Sequence, residues 1–324
     1  MRLAIITPCY NEQDILPGSL DTLIQTVEDM AANGVIDRDS FILCVDDCST
    51  DATWKIIEKF HSENPMVKGM RFAHNSGQQN ALIAGLMTVM DHCDAAVTID
   101  ADLQDDPKVI KEMVDKYKDG AEVVFGVRSS RESDTWFKRT SARSFYRFQK
   151  WMGVESIYDH SEFRLMSSRA IRLLEEYGER NIFLRNIVVR IGLPTAIVAS
   201  PRSPRTAGET KYSLSKMVSL SIDAITSFTA KPMRFIFMTG VLLVVFDIIV
   251  AIYALVSFFS DKAASGWTSL ILSVWFLGGL ILMGIGIVGE YIGKIYEEVK
   301  RRPRYAVRDF LLGDLDNDGA SRGK

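Results

Sequence analysis

Residues Ala95–Pro107, with the sequence AAVTIDADLQDDP, indicate the fold class most clearly, because an apolar segment there runs directly into a group of acidic residues. Ala95–Ile99 is short and apolar, which is typical of a buried strand, and the polar residues after it mark the end of that strand. Pro107–Tyr117 then has apolar residues at helical spacing, with a proline at its first turn. A buried strand, a polar turn and a helix form the repeating unit of an α/β domain.

The same unit recurs on both sides of this stretch. We predict further strands at Leu3–Thr7, Phe41–Val45, Val67–Phe72 and Glu122–Gly126. We predict further helices at Asp14–Met30, at Asp51–Phe60 with Ser49 or Thr50 as N-cap, and at Gly77–Met90. This alternation predicts a mostly parallel, Rossmann-like sheet with helices on both faces, in which ligands bind at the carboxyl ends of the strands.

Polar and small residues follow four of the predicted strands, at Pro8–Glu12, Asp46–Asp51, His74–Gly77 and Asp100–Gln104. One such group is explained by a turn or a helix cap, but four together favour a ligand site. Asp100 and Asp102 stand two residues apart just after a strand, so their carboxylates can share one hard divalent cation. Mg²⁺ and Mn²⁺ prefer such oxygen ligands, and substrate phosphates usually complete their coordination.

Two long apolar stretches lie near the C-terminus. Phe235–Phe259 contains one ionisable residue, Asp247, and Trp267–Val288 contains none. A helix rises about 1.5 Å per residue, so each stretch can cross a hydrocarbon core of about 30 Å. We therefore predict a transmembrane hairpin over 233–293, with spans at about 235–259 and 267–291; two buried core helices are the alternative. Asp247 is either a functional group or an interhelical hydrogen-bonding group.

Basic residues flank the apolar stretches on their outer sides, at Lys231, Arg234, Lys294 and Lys300–Arg302. The positive-inside rule then places both termini and the N-terminal part in the cytoplasm. The predicted domains are a catalytic domain at 1–212, a juxtamembrane amphipathic helix at 213–232, the hairpin, and a basic segment with an acidic mobile tail at 294–324. Gly289 and Gly293 form a G-x3-G pattern that favours self-association.

Composition narrows the class of protein. Hydrophobic residues make up 47% of the 324 residues, which excludes global disorder. The formal net charge of −3 argues against a globally basic nucleic-acid binder. The four cysteines lack the C-x2-C spacing of a zinc knuckle, and their apolar or turn contexts favour reduced thiols and a cytosolic setting.

Eight motifs carry a family resemblance, and they occur in the order TPCYNE, VDDCSTD, HNSGQQNAL, DADLQDDP, FGVRSSRESDTWFKR, EFRLMSSRA, AGETKYSLSKM and GEYIGKIYEEVKRRPRY. Over about residues 3–305 the chain resembles family 2 glycosyltransferases, especially bactoprenol glucosyltransferases and dolichol-phosphate mannose synthases. The resemblance implies a GT-A fold and transfer of a sugar from a nucleotide-sugar to a polyprenyl phosphate.

The resemblance also implies roles for individual residues. The nucleotide-sugar would be held by Pro8, Tyr10, Asn11, Glu12, Asp46, Asn75, Gly77, Asp100 and Gln104. Mg²⁺ or Mn²⁺ would be held by Asp100, Asp102 and Gln104. The acceptor phosphate would meet Arg128, Arg131, Arg139, Arg202 and Lys211, although such a basic cluster also suits anionic lipid headgroups.

The catalytic residues implied are Asp102, Arg128, Arg139 and Glu162. Glu162 stands where similar proteins usually carry Asp, the presumed base. It is one methylene longer, and a phosphate nucleophile is already mostly ionised at neutral pH, so Glu162 acts either as a base or by orienting Arg164 or the acceptor.

These observations predict an inverting transferase at the cytoplasmic face of a bacterial inner membrane. Its donor would be UDP-glucose or UDP-N-acetylglucosamine, its acceptor undecaprenyl phosphate, and its product a polyprenyl-phosphate sugar for cell-envelope glycosylation. Membrane lipids and a second copy of the chain are the expected partners, and nucleic acid is not. A processive polysaccharide synthase and a non-catalytic polyprenyl-phosphate-binding scaffold are the alternatives.

Overall fold

A computed structural model describes residues 1–128, 160–179, 184–201, 231–259 and 267–313. The chain divides into two compact units, which are described separately. The first unit contains Met1–Ala142, Ser156–Thr210 and Arg302–Lys324, and the second contains Arg143–Glu155 and Lys211–Arg301.

The described part of the first unit alternates strands with helices. The strands are β1 (Leu3–Cys9), β2 (Phe41–Asp46), β3 (Val67–Phe72), β4 (Ala95–Thr98), β5 (Val123–Arg128), β6 (His160–Ser167), β7 (Thr195–Ser200) and β8 (Val307–Leu311). The helices are α1 (Leu16–Ala32), α2 (Thr53–Glu63), α3 (Gln78–Val89), α4 (Val109–Lys118), α5 (Ser168–Glu175) and α6 (Leu184–Arg190). All the strands and helices predicted above are present, with shifts of a few residues at their ends.

The strands form one sheet in the order β7-β5-β6-β4-β1-β2-β3-β8. β1 pairs in parallel with β2 and β4, β2 with β3, and β5 with β7. β6 is antiparallel to both β4 and β5, and β8 is antiparallel to β3. The predicted mostly parallel α/β sheet is therefore confirmed, with two antiparallel strands that the pattern did not predict.

The central strands are buried because helices cover them. Every residue of β2 is buried, which explains its uninterrupted apolar sequence. α3 packs so closely on the sheet that a Cβ on Gly85 would lie 2.5 Å from Ile6 Cγ2 and 3.2 Å from Val45 Cγ2. The strand ends, and with them the polar loops, are thereby held in fixed positions.

The predicted N-cap of α2 is wrong. Ala52 occupies the N-cap position, and the Asp51 carboxylate accepts the Thr53 backbone N–H at 2.9 Å. Ser49 instead accepts a hydrogen bond from the Asn11 backbone N–H at 2.9 Å. The serine that the sequence pattern assigned to the helix therefore connects two loops.

Within the segment 294–324, predicted as a basic segment and an acidic mobile tail, Val307–Leu311 forms the edge strand β8, which the sequence analysis did not predict. The Ala73 N–H donates to the Ala306 carbonyl at 2.8 Å. The rings of Phe72 and Tyr305 stack with their centroids 5.1 Å apart. The residues after Arg302 thus contribute an edge strand to the sheet of the first unit.

The second unit contains two long helices, α7 (Lys231–Phe259) and α8 (Trp267–Lys300). They cover the predicted spans, but α7 begins at Lys231, before the predicted start at about 235, and α8 extends beyond the predicted boundary at 293. A Cβ on Gly284 of α8 would lie 3.5 Å from Ile236 Cγ2 of α7, so the two helices are neighbours.

Within the described residues, one helical segment, Phe276–Lys300, has the length and composition needed to cross a membrane. A shorter apolar helical segment covers Met233–Leu243. The two-span hairpin therefore stays a prediction.

Candidate active site

The loops after β1 and β2 are joined by hydrogen bonds. Besides the contact with Ser49, the Asn11 side-chain oxygen accepts the Thr50 backbone N–H at 2.8 Å. The Glu12 backbone N–H donates to Thr53 Oγ1 at 2.9 Å. Asn11 has φ +55°, a left-handed conformation that asparagine tolerates. Of the predicted nucleotide residues, Pro8 lies near the end of β1, and Tyr10, Asn11 and Glu12 lie in the hydrogen-bonded loop, with Tyr10 exposed to solvent.

Asp46 lies inside this arrangement. It is 0% exposed, it accepts the Ser49 backbone N–H at 3.2 Å, and its Oδ2 lies 3.2 Å from Arg71 Nε. Burial raises the pKa of Asp46, while the Ser49 hydrogen bonds and the Arg71 charge lower it. The Arg71 guanidinium also lies over the Trp54 ring, 5.7 Å from its centroid. In this conformation Asp46 braces the loop from within, and its contact with a nucleotide stays a prediction.

Asp47 is a structural residue that the sequence analysis did not single out. Its carboxylate accepts the backbone N–H groups of Ser76 at 2.6 Å and Gly77 at 2.8 Å. Burial raises the pKa of Asp47, and these two hydrogen bonds lower it. Gly77 has φ +88°, a conformation that favours glycine. Asp47 therefore fixes the loop that contains the predicted nucleotide residues Asn75 and Gly77.

The acidic pair follows β4, as predicted. Gln78 Nε2 donates to Asp100 Oδ1 at 2.7 Å, and Gln104 Nε2 donates to Asp102 Oδ2 at 2.8 Å. The intervening Leu103 has φ +43°, so the backbone turns sharply between Asp102 and Gln104. Two amides and two carboxylates are therefore gathered at the carboxyl end of the central strands.

The composition of this cluster fits a hard divalent cation. Among the residues that the structure describes, no group of three or more His, Cys, Asp and Glu side chains could hold a metal ion. The two carboxylates would therefore need further oxygen ligands, which phosphates supply for Mg²⁺ and Mn²⁺. An ionised carboxylate has about four lone-pair sites, so one amide contact does not saturate it.

Glu162 lies on β6 beside the same strand ends. It is 3% exposed; Gln79 Nε2 donates to its Oε1 at 3.0 Å, and the guanidinium of the fully buried Arg164 pairs with its Oε2. Thr98 Oγ1 donates to the Glu162 backbone carbonyl. The contact with Arg164 agrees with the orienting role for Glu162, and its role as a base stays a prediction.

Several predicted site residues lie outside the described part of the chain. They are Arg131, Arg139, Arg202 and Lys211, together with the side chain of Arg128, whose backbone ends β5 opposite Ser200. The predicted contact of these basic residues with the acceptor phosphate therefore stays a prediction. The same holds for the amphipathic helix over Ser213–Ala230, the side chain of Asp247 and the tail after Gly313.

Four residues of the site had no separate sequence signal, namely Asp47, Arg71, Gln78 and Gln79. Each acts by contacting an acidic residue or a loop that is distant in sequence. The two glutamines lie within the quoted motif HNSGQQNAL, but nothing in their spacing indicates which acids they contact.

Comparisons with known proteins agree with this arrangement. The model of glycosyl transferase family 2 matches residues 4–187, which include β2–β6, all but the first residue of β1, and the acidic residues Asp100, Asp102 and Glu162. The uncharacterized glycosyltransferase YkoT of Bacillus subtilis (strain 168) is 47% identical, over 94% of this chain and 90% of its own length.

Two further relatives have more specific names. The prophage bactoprenol glucosyl transferase homolog of Escherichia coli (strain K12) is 34% identical, over 95% of this chain and 99% of its own. The SfII prophage-derived bactoprenol glucosyl transferase of Shigella flexneri is 33% identical, over 97% of this chain and 100% of its own. The family match and the sheet together confirm the expected α/β GT-A fold. With these matches over most of its length, the chain belongs to glycosyl transferase family 2.

Proposed function

We propose that this glycosyltransferase moves a sugar from a UDP-sugar to the phosphate of a polyprenyl phosphate, with inversion at the anomeric carbon. The observation that carries the proposal is the pair Asp100 and Asp102 after β4, together with the hydrogen-bonded loops that follow the neighbouring strands β1 and β2. The names of the relatives, which align over nearly their whole length, support a polyprenyl acceptor.

The reaction is a single displacement. A phosphate oxygen of the lipid attacks the anomeric carbon, the bond from that carbon to the diphosphate oxygen breaks, and the nucleoside diphosphate leaves. Asp100, Asp102 and Gln104 would hold a divalent cation, which supplies neutralisation of the negative charge that develops on the diphosphate. The loops of Pro8–Glu12 and Asn75–Gly77 would bind the nucleotide and orient the sugar.

The acceptor needs little activation. A phosphate monoester has a second pKa of about 6, so it is mostly dianionic at neutral pH. Glu162 therefore acts by orientation: it is ion-paired with Arg164, and both side chains are buried. Arg128 and Arg139 would bind the acceptor phosphate, because guanidinium groups match phosphate oxygens in charge and geometry.

The apolar helices α7 and α8 would hold the protein in a bacterial inner membrane, with the catalytic unit in the cytoplasm. Lys300 and Arg301 follow the apolar part of α8, in agreement with that orientation. Undecaprenyl phosphate would be the acceptor and UDP-glucose or UDP-N-acetylglucosamine the donor. The product would be a polyprenyl-phosphate sugar for cell-envelope glycosylation.

The test uses the purified full chain in detergent with undecaprenyl phosphate and a panel of labelled UDP-sugars, with and without EDTA. We expect one lipid-linked monosaccharide product, and we expect EDTA to abolish it. Asp102→Asn should lower turnover by about 100-fold or more, because the stabilisation of the leaving group is lost.

The matched control is Asp106→Asn, since Asp106 lies in the same acidic stretch and accepts the Lys108 backbone N–H at 3.0 Å. Asparagine can still accept that hydrogen bond, so this variant should keep its turnover. Undiminished product in EDTA would refute the metal role. Tight lipid binding without transfer of any sugar would favour the non-catalytic scaffold, and a polymeric product would favour a processive synthase.

A further inference from the structure

We infer that Gln79 is a positioning residue that holds the Glu162 carboxylate in one orientation for sugar transfer. The inference rests on the proposed function, because it gives Glu162 a part in that reaction. It assigns a role to a residue of α3 that is distant in sequence from β6. The sequence motifs gave this residue no role of its own.

The Gln79 carboxamide is fixed at both of its ends. Its Oε1 accepts the Leu184 backbone N–H at 3.2 Å, and its Nε2 donates to Glu162 Oε1 at 3.0 Å. A backbone N–H can only donate, so the amide oxygen must face Leu184 and the amide nitrogen must face Glu162. Leu184 begins α6, and the first N–H groups of a helix have no partner within that helix. The same contact therefore gives the Leu184 N–H a hydrogen-bond acceptor and orients the Gln79 amide.

Glu162 has a donor on each carboxylate oxygen, Gln79 on Oε1 and Arg164 on Oε2. These hydrogen-bonding partners compensate for the burial of a polar side chain that is 3% exposed. A glutamate side chain also has one more rotatable bond than an aspartate side chain. An anchor on each oxygen restricts that added freedom, so Gln79 explains how the longer acid is held in a single position.

The two neighbouring glutamines of α3 contact different acids. Gln78 precedes Gln79 on α3 and donates to Asp100. Successive helical residues point about 100° apart, since a turn has 3.6 residues. The two amides therefore reach different acids, and Gln79 alone of the pair contacts Glu162 within the described residues.

The kinetic test compares Gln79→Ala and Gln79→Glu with the wild type. Gln25→Ala and Gln25→Glu are matched controls, because Gln25 is an exposed amide on α1. We expect Gln79→Ala to lower kcat by about 10-fold, the scale of a hydrogen bond to a charged group, and to leave KM for the donor within about twofold. The Gln25 variants should match the wild type.

Gln79→Glu provides a pH readout that a merely structural role would not move. The new carboxylate would face Glu162 Oε1, and two carboxylates in contact cannot both be ionised without a large penalty. Protonation of one acid restores a donor between them. The kcat of Gln79→Glu relative to wild type should therefore rise as the pH is lowered from 8 to 6, while the Gln25→Glu ratio should stay flat.

A second measurement does not depend on turnover. We expect the Tm losses of Gln79→Ala and Glu162→Gln to be non-additive in the double variant, since both weaken one charge-assisted bond. Additive Tm losses, or a wild-type kcat and pH profile in both Gln79 variants, would overturn the inference. If the wild type transfers no sugar, the proposed function fails, and the Tm cycle still decides whether Gln79 holds Glu162.

Discussion

Replacement of Arg71 by methionine would leave Asp46 buried without its cation. Asp46 is 0% exposed and the Arg71 side chain 21% exposed, and Arg71 Nε lies 3.2 Å from Asp46 Oδ2. Methionine keeps an unbranched apolar stem that can still cover Trp54. Removal of one partner from a buried ion pair costs about 3–5 kcal/mol, and the partial exposure of Arg71 places our expectation at about 3 kcal/mol. At about 2–4 °C per kcal/mol for a unit of this size, Tm should fall by roughly 6–12 °C.

The loss should depend on pH with a definite sign. Burial raises the pKa of Asp46 above its ordinary value of 3.8, and Arg71 opposes that shift. Without Arg71, the pKa in the folded state rises further, while the pKa in the unfolded state is unchanged. Below the ordinary pKa, Asp46 is protonated in both the folded and the unfolded state, so the loss of Arg71 carries no ionisation penalty. The penalty grows as the pH rises and levels off once the pH exceeds the pKa of Asp46 in the folded state. Arg71→Met should therefore be most destabilised at pH 8 and less destabilised at pH 5.

The assay is thermal unfolding of the detergent-solubilised full chain at pH 5 and pH 8, followed by tryptophan fluorescence. The control is the double variant Asp46→Asn with Arg71→Met, in which the added pH dependence should vanish because asparagine does not ionise. A Tm loss for Arg71→Met that is equal at both pH values would refute the account of Asp46 as a buried carboxylate held by Arg71.

Three further predictions test the packing of the first unit. Gly85→Ala should lower Tm, because the new Cβ would lie 2.5 Å from Ile6 Cγ2 and overpacking costs about 1–3 kcal/mol. The control is Gly18→Ala on α1, where nothing lies within 4 Å of the new Cβ, so Tm should rise slightly. Tyr305→Ala removes the ring that stacks on β3, so amide hydrogen exchange in β8 should accelerate while β1 exchange stays unchanged. Burial raises the pKa of the Cys93 thiol to about 12, so mass spectrometry should find Cys93 unalkylated by iodoacetamide at pH 8 in the folded protein and alkylated in urea.

The parts of the fold that follow local rules could be predicted from the sequence. β1–β5 and α1–α4 alternate regularly, and central parallel strands are continuous apolar runs. β6 could not be predicted in this way, because it contains two charged residues, Glu162 and Arg164, and charged residues argue against a buried strand. Their mutual ion pair makes the strand possible, and only the folded arrangement reveals that pair. β8 is short, and Arg308 and Asp309 interrupt its apolar pattern, so its pairing with β3 is also a long-range property.

The candidate site shows the same division. Asp100 and Asp102 were identified because strand ends in a parallel sheet converge by topology, whatever their side chains contact. The partners of these acids depend on contacts between residues that are far apart in the chain. Gln79 illustrates the point: in sequence it is an ordinary residue at a helix start, and in space it meets an acid on β6 and the backbone of α6.

The start of α3 is the element that these separate contacts share. Asp47 binds the two backbone N–H groups before the helix, and Gly77 supplies the left-handed turn into it. The next two residues, Gln78 and Gln79, then reach the acid after β4 and the acid on β6, respectively. In the proposed reaction these acids belong to opposite partners, the leaving diphosphate and the attacking phosphate. In that reaction, a helix start that contacts both acids would fix their separation before either substrate binds, which is the preorganisation that an in-line displacement requires.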